Sequence, residues 1–151
     1  MFMQLKSDES GLTLIELTIV IVILGILAAF IAPRVINAPQ QAKVAKAQTE
    51  VNAIKTALEQ YAIATGEYPT TEQGLSALWR APSPAPLNWD GPYVDNPNFM
   101  DPWNNQYVYR QPSSRYGYDY DLYSMGKDGK VGGTELDADI TNWVDENAAV
   151  N

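Results

Sequence analysis

Two groups of residues have the types and spacing to do chemistry. The first is Gly11-Leu12-Thr13-Leu14-Ile15-Glu16, in which a lone acid stands at the head of an apolar run. An ionisable side chain inside an apolar membrane helix costs roughly 2.5 to 3.5 kcal/mol on insertion scales unless it finds a partner. Glu16 therefore asks for a nearby cation, or for a position close enough to the interface to stay hydrated. The second group is the glycine-rich acidic stretch from Ser124 to Trp143, with Asp128, Glu135, Asp137 and Asp139. Carboxylates and turn carbonyls are the hard oxygen donors that Ca²⁺ takes, six to eight of them at about 2.3 to 2.6 Å. The EF-hand pattern D-x-[DN]-x-[DN]-G is absent, and an acidic loop read by itself is more often merely solvated. A weaker arrangement is Asp119 with Asp121: residues two apart on a strand share a face at about 6 to 7 Å, which permits an acid–base pair of carboxylates. The same two acids are also ordinary solvent-facing strand residues.

Composition narrows the field. The chain has 151 residues, ten basic against eighteen acidic side chains, 46% hydrophobic content, and neither cysteine nor histidine. One domain is the prior for that length. Thiol nucleophiles, Cys or His zinc sites, Ser-His-Asp triads and disulfide frameworks each lack a necessary residue. A net charge of -8 repels phosphate backbones, so no nucleic-acid partner is expected. The balance leans away from an enzyme and towards a binding or structural role.

Three elements must position these residues. Leu12 to Ala32 is apolar apart from Glu16; as a helix it spans roughly 31 Å, close to a hydrocarbon core of about 30 Å. No A-x-A-like pair ends this run, which argues against an ordinary cleaved secretory signal. From Gln40 to Thr65, Val44, Ala47, Val51, Ile54, Leu58 and Tyr61 recur at three-then-four spacing, with Lys43, Lys46, Glu50, Lys55 and Glu59 outward. That periodicity predicts an amphipathic helix packed on the domain's own core rather than on a coiled-coil partner. Gly66 suits its C-terminal cap, and Pro33 and Pro39 mark a join to the apolar segment where a helix can bend or loosen. Prolines from Pro69 to Pro112 leave room for one short helical segment, Thr71 to Trp79, with Thr71 as N-cap and Leu75, Leu78 and Trp79 on one face. Tyr107 and Tyr109, then Tyr116, Tyr118 and Tyr120, read at period two and predict two antiparallel strands joined near Gln111 to Arg115. A tyrosine ladder can bind sugars, but half-buried sheet residues explain it more cheaply. The expectation is an α+β chain: a long N-terminal helix on a small antiparallel sheet.

The Gly11 to Glu16 run followed by apolar residues resembles the processing site of type IV pilins and of the pseudopilins of type II secretion. Tyr68-Pro69-Thr70-Thr71-Glu72-Gln73-Gly74-Leu75, Asp101-Pro102-Trp103-Asn104-Asn105-Gln106-Tyr107 and the Ser124 to Trp143 stretch extend the likeness, and they resemble the major-pseudopilin family. Pilins of the other branch, used for adhesion, motility or DNA uptake, often close their C-terminal region with a disulfide, which this chain cannot form. Leu12 departs from the commoner first mature phenylalanine, and the leader carries Asp8 and Glu9 beside Lys6.

The resemblance implies a type IV pilin-like fold with a leader over 1–11, a membrane or filament-core helix over 12–32, an amphipathic helix over 33–66 and a globular part over 67–151. It implies cleavage between Gly11 and Leu12 by a prepilin peptidase and N-methylation of Leu12. Glu16 would pair with the new amine of a neighbouring subunit. It also implies a calcium loop, with Asp128, Asp137 and Asp139 as side-chain ligands, carbonyls of Met125 and Lys130 as backbone ligands, and Glu135 in reserve. The choice between Asp137 and Asp139 stays open. Implied partners are further copies of the chain in a homopolymer, minor pseudopilins, the peptidase and the inner-membrane assembly platform. The implied location is the bacterial inner membrane, crossed once, with the C-terminal part in the periplasm and a role in exporting folded proteins.

Overall fold

A computed structural model describes residues 13–144, apart from the side chains of 32–37. Its dominant element is helix α1, Leu14–Thr65. The helix runs on through Pro33 and Pro39, although each proline lacks the amide that would bond the carbonyl four residues back, at Ala29 and Val35. The chain divides into two units between Pro39 and Gln40. In the first, an apolar stretch, Leu14–Ile31, is long enough to cross a membrane and none of it is buried.

In the second unit, the three-then-four positions behave as the periodicity requires. Ala47, Val51, Ile54, Leu58 and Tyr61 are buried, and Ala57 joins them. Gly66 takes φ 92° and its amide bonds the Ala62 carbonyl at 2.8 Å, a left-handed C-terminal cap that a residue with a Cβ adopts only at a cost. The core is completed by Leu75, Ala77, Leu78, Tyr107, Tyr109, Tyr120, Leu122 and Ile140.

The segment expected as a helix over Thr71 to Trp79 is shorter, a 3-10 turn at Leu75–Leu78, and Thr71 does not cap it. Thr70 makes the reciprocal contact instead: its amide donates to Gln73 Oε1 at 2.9 Å and its hydroxyl accepts from the Gln73 amide at 3.2 Å, a capping box of the T-x-x-Q kind. Gly74, at φ 60° and ψ -169°, then breaks the run. Thr71 ties this segment to the sheet by donating to the Gln111 carbonyl and accepting from the Gln111 amide, both at 2.8 Å.

The sheet has three antiparallel strands in the order β1 (Val108–Arg110), β2 (Asp121–Ser124), β3 (Ile140–Thr141). Tyr109 faces Leu122, and Ser124 faces Ile140. All four residues of central β2 are buried, as expected for a strand flanked on both edges. The second strand therefore begins later than the tyrosine alternation implies. Tyr116 and Tyr118 lie in an exposed loop in which Gly117 takes φ 85°, a turn conformation that interrupts a strand. The third strand is extended by Asn142, whose side chain accepts from the Leu122 amide at 2.8 Å and donates to the Tyr120 carbonyl at 3.1 Å. Tyrosine hydroxyls lace the layers together: Tyr107 donates to Glu50 on α1 at 2.7 Å, and Tyr109 to the Pro69 carbonyl at 2.6 Å. Burial, joined for Tyr107 by the Glu50 carboxylate, pushes these two phenols well above the usual tyrosine range, so both remain neutral donors.

Candidate functional site

At the N-terminal end, Thr13 and Glu16 form a second reciprocal cap. The Thr13 amide and hydroxyl both donate to Glu16 Oε2, at 2.8 and 2.7 Å, and the Thr13 hydroxyl accepts from the Glu16 amide at 3.3 Å. Glu16 thus sits at the third helical position, where a carboxylate satisfies otherwise unpaired amides and complements the positive end of the helix dipole. Sequence reasoning asked for a partner for this acid; the single chain already gives it one, three residues back, in a T-x-x-E pattern legible in the sequence. Gly11 and Leu12, the expected cleavage and methylation positions, lie outside the described residues.

The flanks of Glu16 are apolar and open. Leu14, Ile15, Leu24, Phe30 and Ile31 are each more than half exposed, so this half of α1 has no apolar cover among the described residues. An exposed apolar surface of that extent marks an interaction with lipid or protein.

The C-terminal loop runs from β2 to β3 through a 3-10 turn at Glu135–Asp137. Asp128 is exposed, and its Oδ1 accepts from the Lys130 amide at 3.1 Å. Asp139 is half-buried, and its Oδ2 accepts from the Gly132 amide at 2.9 Å, drawing the two sides of the loop together. Asp137 donates its amide to the Thr134 carbonyl at 3.1 Å. Glu135 is exposed, with φ 55°. Among the described residues, no group of three or more Asp, Glu, His or Cys is placed to hold a metal ion. Main-chain oxygens crowd the loop glycines instead. A Cβ at Gly126 would stand 2.8 Å from the Ala138 carbonyl oxygen, and one at Gly133 would collide with the Asp137 carbonyl. Both glycines have positive φ. At these two positions the loop therefore folds tightly enough that only glycine fits, with carbonyls packed against it.

Below this loop lies a polar network that sequence reasoning missed. Asp101 is buried, and its Oδ1 accepts from the amides of Trp103 and Asn105 at 2.9 and 2.8 Å. Its Oδ2 accepts from the Ser124 hydroxyl at 2.5 Å. Ser124 Oγ in turn accepts from the Gly126 amide at 3.1 Å, and the Asn105 side chain donates to the Gly126 carbonyl at 3.1 Å. The Asp-Pro-Trp start of this motif carried a signal, since an aspartate bonding the amide two residues on is a common turn device.

The two strand acids do not form a pair. Asp119 is exposed in the loop before β2, whereas Asp121, expected to face solvent, is buried. Asp121 accepts from the hydroxyls of Ser113 and Ser114 at 2.6 and 2.7 Å and from the Ser114 amide at 3.1 Å. Burial raises its carboxyl pKa, but the two hydroxyls, the amide and the nearby Arg115 charge outweigh that and hold it below the usual range. It anchors a turn with its lone pairs in use. Arg115 itself stacks 3.8 Å over the Trp143 ring.

Comparisons with known proteins agree across the chain. The family model for type II secretion system protein G matches residues 34–143, and the prokaryotic N-terminal methylation motif matches residues 6–32. A type II secretion system core protein G of Pseudomonas aeruginosa is 47% identical over 142 residues, covering 91% of this chain and 97% of the relative. One from Vibrio cholerae is 40% identical, covering 93% and 96%. The crystal structure of the major pseudopilin from the type 2 secretion system of enterohaemorrhagic Escherichia coli superimposes with a TM-score of 0.58 at 36% identity, covering 71% of this chain and 87% of that one.

Proposed function

Since the chain belongs to the type II secretion system protein G family, a family of structural pseudopilins, we propose that it is cleaved after Gly11 and polymerises into a periplasmic pseudopilus that helps export folded proteins. The observation that carries this reading is the uncovered apolar half of α1, Leu14–Ile31, continued in the same helix by a half whose apolar positions from Ala47 to Tyr61 are buried in the core. Such a subunit is held by the membrane before assembly and by copies of itself afterwards. Prepilin peptidase would act at Gly11, with methylation at Leu12. Minor pseudopilins and the inner-membrane platform are the further partners of assembly.

Glu16 has a definite task in this scheme. Its carboxylate is already fixed in orientation by Thr13, so a new Leu12 amine on a neighbouring subunit would meet a positioned anion rather than a mobile one. Pairing in an apolar filament core would offset the cost of burying either charge. Glu16→Val should leave insertion and processing intact while abolishing filaments and secretion. Unchanged filaments would remove Glu16 from assembly.

The C-terminal loop is the place for Ca²⁺. Its donors are all oxygens, and calcium accepts main-chain carbonyls beside carboxylates, so a loop with packed carbonyls and few acids fits the ion's chemistry. Asp128 and one of Asp137 and Asp139, with the carbonyls of Met125 and Lys130, would hold it; bound there, the ion would neutralise acids and brace a segment poor in regular structure. Calcium should raise the melting temperature of the full chain in detergent, and a chelator should reverse the gain. Asp119→Ala, outside the loop, should leave the response intact, and equal melting temperatures with and without calcium would reduce the loop acids to solvated side chains.

A further inference from the structure

The buried polar network beneath the C-terminal loop has no place in processing or filament pairing, yet it ends on the loop's first glycine. From that geometry, we propose that Asp101 is the positioning residue of the C-terminal loop, acting through Ser124 on the Gly126 backbone without touching any bound cation. Ser124 is fully buried and Asp101 nearly so, so neither group can exchange its partners for water. The Asp101 carboxylate is fully committed: two amides of its own turn hold Oδ1, and the Ser124 hydroxyl holds Oδ2. Because that hydroxyl gives its proton to Asp101, its oxygen is left as the acceptor for the Gly126 amide. Asn105, whose amide bonds the same carboxylate, donates its side chain to the Gly126 carbonyl. Gly126 is thereby gripped at both its N–H and its C=O. It is also where the Asp137 and Ala138 carbonyls close in from the far side of the loop.

The same turn reaches α1. Trp103, whose amide bonds Asp101, donates its indole N–H to Gln40 Oε1 at 3.1 Å, at the first residue of the second unit. One short hub therefore joins the root of the soluble helix, the 101–105 turn and the start of the loop. A loop with little regular structure gains order from such a grip, and a ligand that needs the ordered loop binds more tightly when the ordering is already done.

The affinity arm of the test rests on the calcium reading above; the exchange arm does not. Asp101→Asn keeps the size and one carbonyl oxygen but loses the second acceptor, and Ser124→Ala removes the relay from β2 with almost no change of volume. In the full chain in detergent micelles, both variants should retain the wild-type circular dichroism and lose Gly126 amide exchange protection. Calcium titration should show about tenfold weaker affinity for each, as expected for one lost buried hydrogen bond. The double variant should be little worse than either single one, because both break the same chain of bonds. Unchanged Gly126 exchange, or strictly additive losses of calcium affinity, would overturn the proposal. If the wild type takes no calcium, the metal reading falls, and Gly126 exchange alone decides for or against Asp101.

Discussion

The two halves of α1 carry similar apolar residues to opposite ends. Between Leu14 and Ile31, leucines, isoleucines and valines are roughly half or more exposed, while Val51 and Leu58 in the second half are 0% exposed. What separates these apolar side chains is the partners that each half has. The second half has a sheet and a 3-10 turn of its own chain to bury against, and its polar residues fall on the face that the core leaves free. The first half is apolar all round, which in a helix signals burial in something other than its own chain.

The largest effect that would sharpen this contrast is a cavity. Leu58→Ala should cost the second unit about 2 to 5 kcal/mol of unfolding free energy, whereas Ile21→Ala should leave that unit within about 0.5 kcal/mol of wild type. The four tryptophans, at 79, 89, 103 and 143, all lie in the second unit, so denaturant unfolding in detergent followed by tryptophan fluorescence reads that unit alone. Equal losses would erase the distinction between the halves.

A smaller effect belongs to Asp121. Its folded-state pKa is depressed, so above the unfolded value, about 3.9, it contributes its full stabilisation. As pH falls through the folded value, the unfolded state has already bound the proton, and that contribution is lost. Asp121→Asn should therefore be less stable than wild type at neutral pH, and the gap in melting temperature should narrow below about pH 4. A gap independent of pH would show that shape alone, not charge, holds the Ser113–Ser114 turn.

The smallest change concerns the capping box. Thr70→Ala should cost about 1 kcal/mol, seen as a modest drop in melting temperature. No change would mean that the 70–73 turn is held without the Thr70–Gln73 box.

How far these features were legible depends on the range of the interactions. The helix from Gln40 to Thr65, its buried positions and the Gly66 cap follow from spacing within one element, and they were read correctly. The processing motif is local too. The boundaries of the sheet were not, because Tyr116 and Tyr118 keep the period-two pattern while Gly117 takes the chain out of the strand. Two-residue β3 has no pattern to detect, and it depends on Asn142 reaching across to Leu122. Asp121 read as solvent-facing because its partners, Ser113 and Ser114, come from across a turn. Asp101 meets Ser124 from 23 positions away, a distance at which no single-sequence pattern speaks. The Thr70–Gln73 box, by contrast, is a local T-x-x-Q pattern that the sequence displays.

On the proposed function, the exposed half of α1 follows a processed end and serves assembly. Intact mass of the protein extracted from membranes tests this most directly. The expected mass is that of the chain starting at Leu12 with one added methyl group. The full 16.7 kDa of the uncut chain, or a cut at any other bond, would contradict it.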